Sequence, residues 1–90
     1  ANLGAYDHFL RGMMGFHSWS REGSRQALTH FYDAIDLDPD YAAAYGVAAR
    51  TYVQRNSGGW MDDNALERTE AVRLAERAAV LGRDDAVPLA

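Results

Sequence analysis

The sequence predicts an all-α fold of antiparallel helical hairpins, and three observations carry that prediction. Apolar residues recur at i, i+3, i+4 and i+7 spacing along successive stretches, which is the mark of one buried helix face. Short turn signals separate the stretches, so each helix reverses into the next. No segment alternates with the period of two that a strand needs. The clearest stretch runs from Ala27 to Pro39, with Ala27, Leu28, Phe31, Ala34, Ile35 and Leu37 as its apolar stripe. Small Ala27 and Ala34 flank bulky Phe31, so a neighbouring helix can approach closely at both ends. Pro39 stops the run, because it lacks an N–H and its ring clashes with the preceding turn.

Taken in order, the first helix is predicted over residues 3–17, where Tyr6, Phe9, Leu10, Met13, Met14, Phe16 and His17 recur at helical spacing. Gly12 and Gly15 each lower helix propensity by about 1 kcal/mol relative to Ala, or mark a place where a second helix crosses closely. Residues 18–24 form a turn rich in capping side chains, and Ser20 or Ser24 caps the second helix, which runs to about Leu37. This first hairpin spans 3–38.

The third helix is expected from near Tyr41 to about Arg55, with Tyr45, Ala48, Ala49 and Tyr52 on one face, and the run Asn56-Ser57-Gly58-Gly59 breaks it. In the fourth helix Asn64 and Glu67 have capping-box spacing, with Asp63 as the competing cap. That helix carries Leu66, Ala71, Val72, Ala75, Ala78, Ala79 and Leu81 and is expected to stop at Gly82. The second hairpin thus spans 40–82 with a lengthened loop. Asp84-Asp85 followed by Pro88 predicts the start of a further helix over 84–90.

Ninety residues suit a single small domain, and a hydrophobic content of 48% argues against disorder. The net charge of -4 and the absence of any Arg cluster exclude a nucleic-acid surface. Cysteine is absent, which removes disulfides and thiolate chemistry. No apolar run approaches the ~20 residues of a membrane span, so a cytoplasmic chain without a membrane partner is the expectation. A chain that opens on Ala1 and closes soon after a helix-start signal reads as a piece of a longer protein.

The helices repeat in pairs. At an offset of 44 residues Ala27, Phe31, Ala34 and Leu37 fall on Ala71, Ala75, Ala78 and Leu81; at an offset of 37, Phe9 and Gly12 fall on Gly46 and Ala49. Tyr45, Ala48, Ala49 and Tyr52, with Ala27, Phe31, Ala34, Leu37 and Pro39, resemble the tetratricopeptide repeat. Ala75 and Arg83 depart from that pattern where an aromatic residue and Pro are usual, and His8, Arg11 and Gly15 depart from it in the first helix. The wording from Asn2 to Gly12, the Leu37-Asp38-Pro39-Asp40-Tyr41 turn and the Gly59-Trp60-Met61 loop look like the C-terminal repeat region of bacterial adenylate/guanylate cyclase-type proteins. Similar repeats follow DNA-binding heads in some transcriptional regulators. The resemblance implies a short right-handed solenoid of stacked hairpins, lying outside any cyclase catalytic domain.

It also implies a groove lined by the first helix of each hairpin. Tyr6, Phe9, Met13, Phe16 and His17, then Ala43, Gly46, Arg50, Val53 and Gln54, hold those positions, with Tyr6, Met13, His17, Arg50 and Gln54 as the candidate peptide contacts. Arg50 is the clearest charged anchor, since guanidinium forks onto carboxylate; Phe9 and Phe16 read as core or as groove. Trp60 either plugs the seam beside the lengthened loop, the favoured reading, or offers an exposed anchor, and Trp19 invites the same reading.

His8, His17 and His30 lack the spacing of a zinc motif, and Asp36, Asp38 and Asp40 lack the Gly and Glu of a calcium loop. No metal, cofactor or catalytic group is expected. The functional expectation is a protein-interaction or regulatory module that binds a protein or peptide, such as another domain of its parent. The alternative is a structural spacer that self-associates through exposed repeat ends.

Overall fold

The computed structural model describes residues 2–85, and these form four α-helices: α1 Leu3–His17, α2 Arg21–Leu37, α3 Ala42–Gly58 and α4 Asn64–Asp85. The helices α1 and α2 pack as one antiparallel hairpin and α3 and α4 as a second, with α3 laid against α2 and touching α1.

Local chemistry sets most helix ends. Asn2 caps α1 by accepting from the Ala5 N–H at 3.0 Å, while its own amide donates to the Leu37 carbonyl at the far end of α2. Ser20, rather than Ser24, caps α2 through the Gly23 N–H at 2.9 Å. Asp38-Pro39-Asp40 turns the chain into α3, and Tyr45 donates its hydroxyl to the Pro39 carbonyl at 2.8 Å. Asp63 caps α4 through the Leu66 N–H at 3.0 Å, and Glu67 reaches back to the N–H groups of Asp62 and Asp63. The competing cap therefore prevails over Asn64.

Two helices outrun their expected ends. The helix α3 continues past Arg55 to Gly58, because neither Asn56 nor Ser57 needs a left-handed backbone; Gly59, at φ 72°, takes that conformation and closes the helix. The helix α4 runs through Gly82 to Asp85. One mid-helix glycine forfeits only about 1 kcal/mol, and buried Leu81 anchors the turn that contains it. Asp84 and Asp85 thus belong to α4 instead of opening another helix, and the remainder of that expected helix lies outside the described residues.

One core serves both hairpins. Ala27, Phe31, Tyr45, Ala48, Ala49, Tyr52, Leu74 and Leu81 form a buried cluster, and Phe9, Met13 and Phe16 of α1 pack against it half-buried. Phe9 and Phe16 are therefore core residues. Ala5, Ala34 and Ala44 form a smaller cluster where α1, α2 and α3 come close. The glycine pair of α1 marks a helix crossing: a Cβ on Gly12 would stand 2.5 Å from the Phe31 ring, and one on Gly15 2.5 Å from the Gly23 carbonyl. Of the expected repeat positions, Ala71 and Ala78 are half-buried, whereas Pro39 is exposed and Leu37 is 48% exposed. Leu37 is the last residue of α2 and lies over Gly4, beyond the cover of α3.

Candidate functional site

The candidate groove lies between α3 and α4, with a volume of about 450 Å³. Gly46, Ala49, Arg50 and Val53 line one side, and Ala71, Val72, Ala75 and Ala78 the other. Small residues dominate both walls, which is why a hollow forms, and Val53 and Val72 remain 60% and 58% exposed. Arg50 stands exposed at this groove without an ion-pair partner among the described residues. By the repeat offsets these residues are the counterparts of Phe9, Gly12, Met13 and Phe16, and of Ala27, Leu28, Phe31 and Ala34. In the first hairpin buried Phe31 fills that surface, with Phe9, Met13, Phe16 and Leu28 half-buried around it; in the second it is open.

The other expected groove residues lie elsewhere. Tyr6 and His17 are exposed on α1, and Met13 is half-buried against the core. Gln54 is a correction: it is buried, and its amide donates to the Phe16 carbonyl at the end of α1 at 2.7 Å. The rotation of α3 against α1 turns this position inward. The Oε1 atom of Gln54 has no hydrogen-bond partner among the described residues.

Two polar networks, neither of them expected from the sequence, join the helices. Arg55, 3% exposed, donates through Nε to Glu67 at 2.8 Å, through Nη1 to Ser24 Oγ at 3.0 Å, and through Nη2 to the Trp60 carbonyl at 2.9 Å and Asp62 at 3.3 Å. Burial works to raise the Glu67 carboxyl pKa, but the guanidinium and the two backbone N–H donors outweigh it and hold the group below its usual range. The hydrogen bond to Glu67 correspondingly raises Arg55.

In the second network Tyr52 donates to Tyr32 Oη at 2.9 Å, Tyr32 donates to Glu70 at 2.5 Å, and Arg73 forks onto Glu70 at 2.6 and 2.8 Å. The Arg73 fork lowers Glu70, against the opposing effect of burial, while burial and the bond to Glu70 raise the Tyr32 phenol. Both networks border a cleft of about 430 Å³ that also contains Arg25, Leu28 and Leu66. A signal for the first was present: Arg55 follows Ala48 by seven and Tyr52 by three residues, which puts it on the buried face of α3.

The fold also assembles a cluster from histidines that the spacing left without a role. His8 of α1 meets His30 and Asp33 of α2, with the two Nδ1 atoms 3.1 Å apart. The tryptophans divide. Trp60 is half-buried with its ring over Gly58, where a Cβ would collide with it. Trp19 is 61% exposed at φ 47°, so it does not seal its turn; the backbone there aims the ring outward.

No helix among the described residues is long and apolar enough to cross a membrane. No family model, curated protein or solved structure matches the chain.

Proposed function

We propose that the chain is a non-catalytic helical-repeat module of the tetratricopeptide kind within a larger, cyclase-type signalling protein, and that its α3–α4 groove binds a helix of a protein partner. One observation carries the reading: the groove is the repeat counterpart of the α1–α2 surface on which α3 is seated. The occupant is an amphipathic helix with an apolar face for Val53, Val72 and Ala75 and an acidic residue for Arg50. A fluorescent peptide spanning residues 41–58 of this chain is the probe, because α3 is the helix that fits the equivalent surface. Saturable anisotropy is expected, weakened at least tenfold by Val72→Asp and left unchanged by Arg50→Ala, because this probe has no acidic residue to meet the guanidinium. A peptide that binds wild type and Val72→Asp equally, or neither, overturns the groove reading.

Self-association is the second reading, and a separate observation favours it. Leu3, Tyr6, Leu10 and Met14 are all exposed on α1, and their spacing places them along one face. A head-to-tail contact would seat that stripe in the α3–α4 groove of another copy and generate open-ended association. Its mark is a light-scattering mass that climbs with concentration and returns to one chain in both Met14→Glu and Val72→Asp.

A further inference from the structure

We propose that His8, His30 and Asp33 form a binding site for a divalent transition-metal ion, of which Zn²⁺ is the best fit. The site clamps α1 to α2 and is independent of the α3–α4 groove. The three ligand atoms lie within 4.8 Å of one another: His8 Nδ1 is 3.1 Å from His30 Nδ1 and 3.9 Å from Asp33 Oδ2. An ion held at ~2.0–2.1 Å by each nitrogen would set tetrahedral neighbours roughly 3.3 Å apart, a span that the observed separations bracket. The rings are tilted by 32° with centroids 5.4 Å apart, so their Nδ1 atoms converge instead of stacking away from one another.

Without an ion the pair is held by a single hydrogen bond. Two neutral imidazoles that face each other through Nδ1 share at most one hydrogen bond, with one ring donating its Nδ1–H and the other accepting. A cation uses both lone pairs and the adjacent carboxylate neutralises part of its charge. All three side chains are half-buried and come from two packed helices, so little ordering remains to be done on binding.

The repeat supplies an independent argument. By the same offsets His8 falls on Tyr45, His30 on Leu74 and Asp33 on Arg77. Tyr45 and Leu74 are buried members of the core cluster that seals the second hairpin. Where that hairpin sets an apolar pair between its helices, the first sets two imidazoles and a carboxylate. An open groove of about 750 Å³, bounded by Arg11, Met14 and Gln26, reaches His30 from solvent and provides an entry path. Two imidazoles and one carboxylate suit Zn²⁺, with Co²⁺, Ni²⁺ and Cu²⁺ as competitors, and leave at least one coordination position for water.

The test uses the whole chain, treated with a chelator and titrated with ZnCl₂. One equivalent is expected to bind and to raise the melting temperature by several degrees. His30→Gln and Asp33→Asn should each weaken binding at least tenfold, while His17→Gln, outside the cluster, binds as wild type does. Because a substitution can perturb the hairpin, histidine ring ¹⁵N spectra of the wild-type chain provide a second measurement. Zn²⁺ should shift the Nδ1 resonances of His8 and His30 and leave those of His17 in place. Undiminished binding by His30→Gln, loss of binding in His17→Gln, or ring spectra unchanged at saturating Zn²⁺ would each overturn the assignment.

Discussion

The two hairpins share a plan and are held together by different means. The first closes by interdigitation: Gly12 and Gly15 let α2 approach until Phe31, Gly23 and Ala27 fill the space between the helices, and a short turn completes it. The second has Ala75 where the first has Phe31, and that residue is exposed in the groove. Its longer connection is secured by Arg55, which gathers Glu67, Asp62, the Trp60 carbonyl and Ser24 of the other hairpin. The contrast teaches that a helical hairpin with a small residue at its central packing position can be fixed at its loop end by a buried guanidinium, leaving its seam open.

The sharpest way to break this comparison is to remove the guanidinium. Arg55→Ala leaves the half-buried Glu67 carboxylate with only the backbone N–H donors of Asp62 and Asp63 and no countercharge, and deletion of one member of such a pair typically destabilises by about 3–5 kcal/mol. Much of a small domain's stability would be lost, and urea unfolding monitored by tryptophan fluorescence reads it directly. The double variant Arg55→Met, Glu67→Met should recover much of the loss, because it abolishes the uncompensated charge. A single-variant loss below about 1 kcal/mol would place the group among ordinary surface ion pairs.

The glycines sharpen the same contrast with opposite signs. Gly12→Ala drives a methyl into the Phe31 ring, and overpacking of about 1–3 kcal/mol outweighs the gain in helix propensity. Gly46→Ala, its partner in this test, meets only the Ala78 methyl at 3.8 Å, so propensity dominates and the protein gains about 0.5–1 kcal/mol. Equal responses at the two positions would mean that the first hairpin is no tighter than the second.

Acid should act chiefly on the second hairpin. Glu67 and Glu70, both on α4, are held below their usual pKa in the folded chain. Their contribution is therefore present above the unfolded carboxyl value, about 4.3, and is lost as pH falls through the lower folded values. The urea midpoint should decline below about pH 4–5, and Glu67→Gln should flatten that decline. An acid limb identical in Glu67→Gln and wild type would remove Glu67 from the account.

Much of the architecture was legible because it depends on neighbours in sequence. Pro39, the Ser20 cap, the left-handed Gly59 and the 3.6-residue stripes act within a few positions of themselves. The roles of Gln54, Arg55 and the histidines depend on how one helix is rotated against another, which periodicity constrains only to a broad face. Gln54 and Arg50 both fitted a groove pattern, yet only Arg50 lies in the groove. The offsets that align Phe31 with Ala75 also align His8 with Tyr45 and His30 with Leu74, so the polar pair was visible as a mismatch in the repeat. Its meaning required α1 and α2 to be in place.

The smallest expected effect is at Trp19, which with Gly59 is left-handed among the described residues, one in each hairpin's connection. Gly59 takes φ 72° with no atom within 4 Å of where a Cβ would stand, and lacks a side chain that this backbone would strain. Trp19 takes φ 47° with a bulky ring that is largely exposed, so it bears the strain with little burial in return. Asn is the non-glycine residue that tolerates this region best, and it leaves the unfolded chain's freedom nearly unchanged. Trp19→Asn should therefore stabilise the chain by about 0.5 kcal/mol, and Gly59→Ala should destabilise it by about 1 kcal/mol. Paired thermal melts read the signs. A Trp19→Asn variant that melts lower than wild type would show that the ring makes a contact worth more than the strain it imposes, and would move the tryptophan from a strained turn to a working surface.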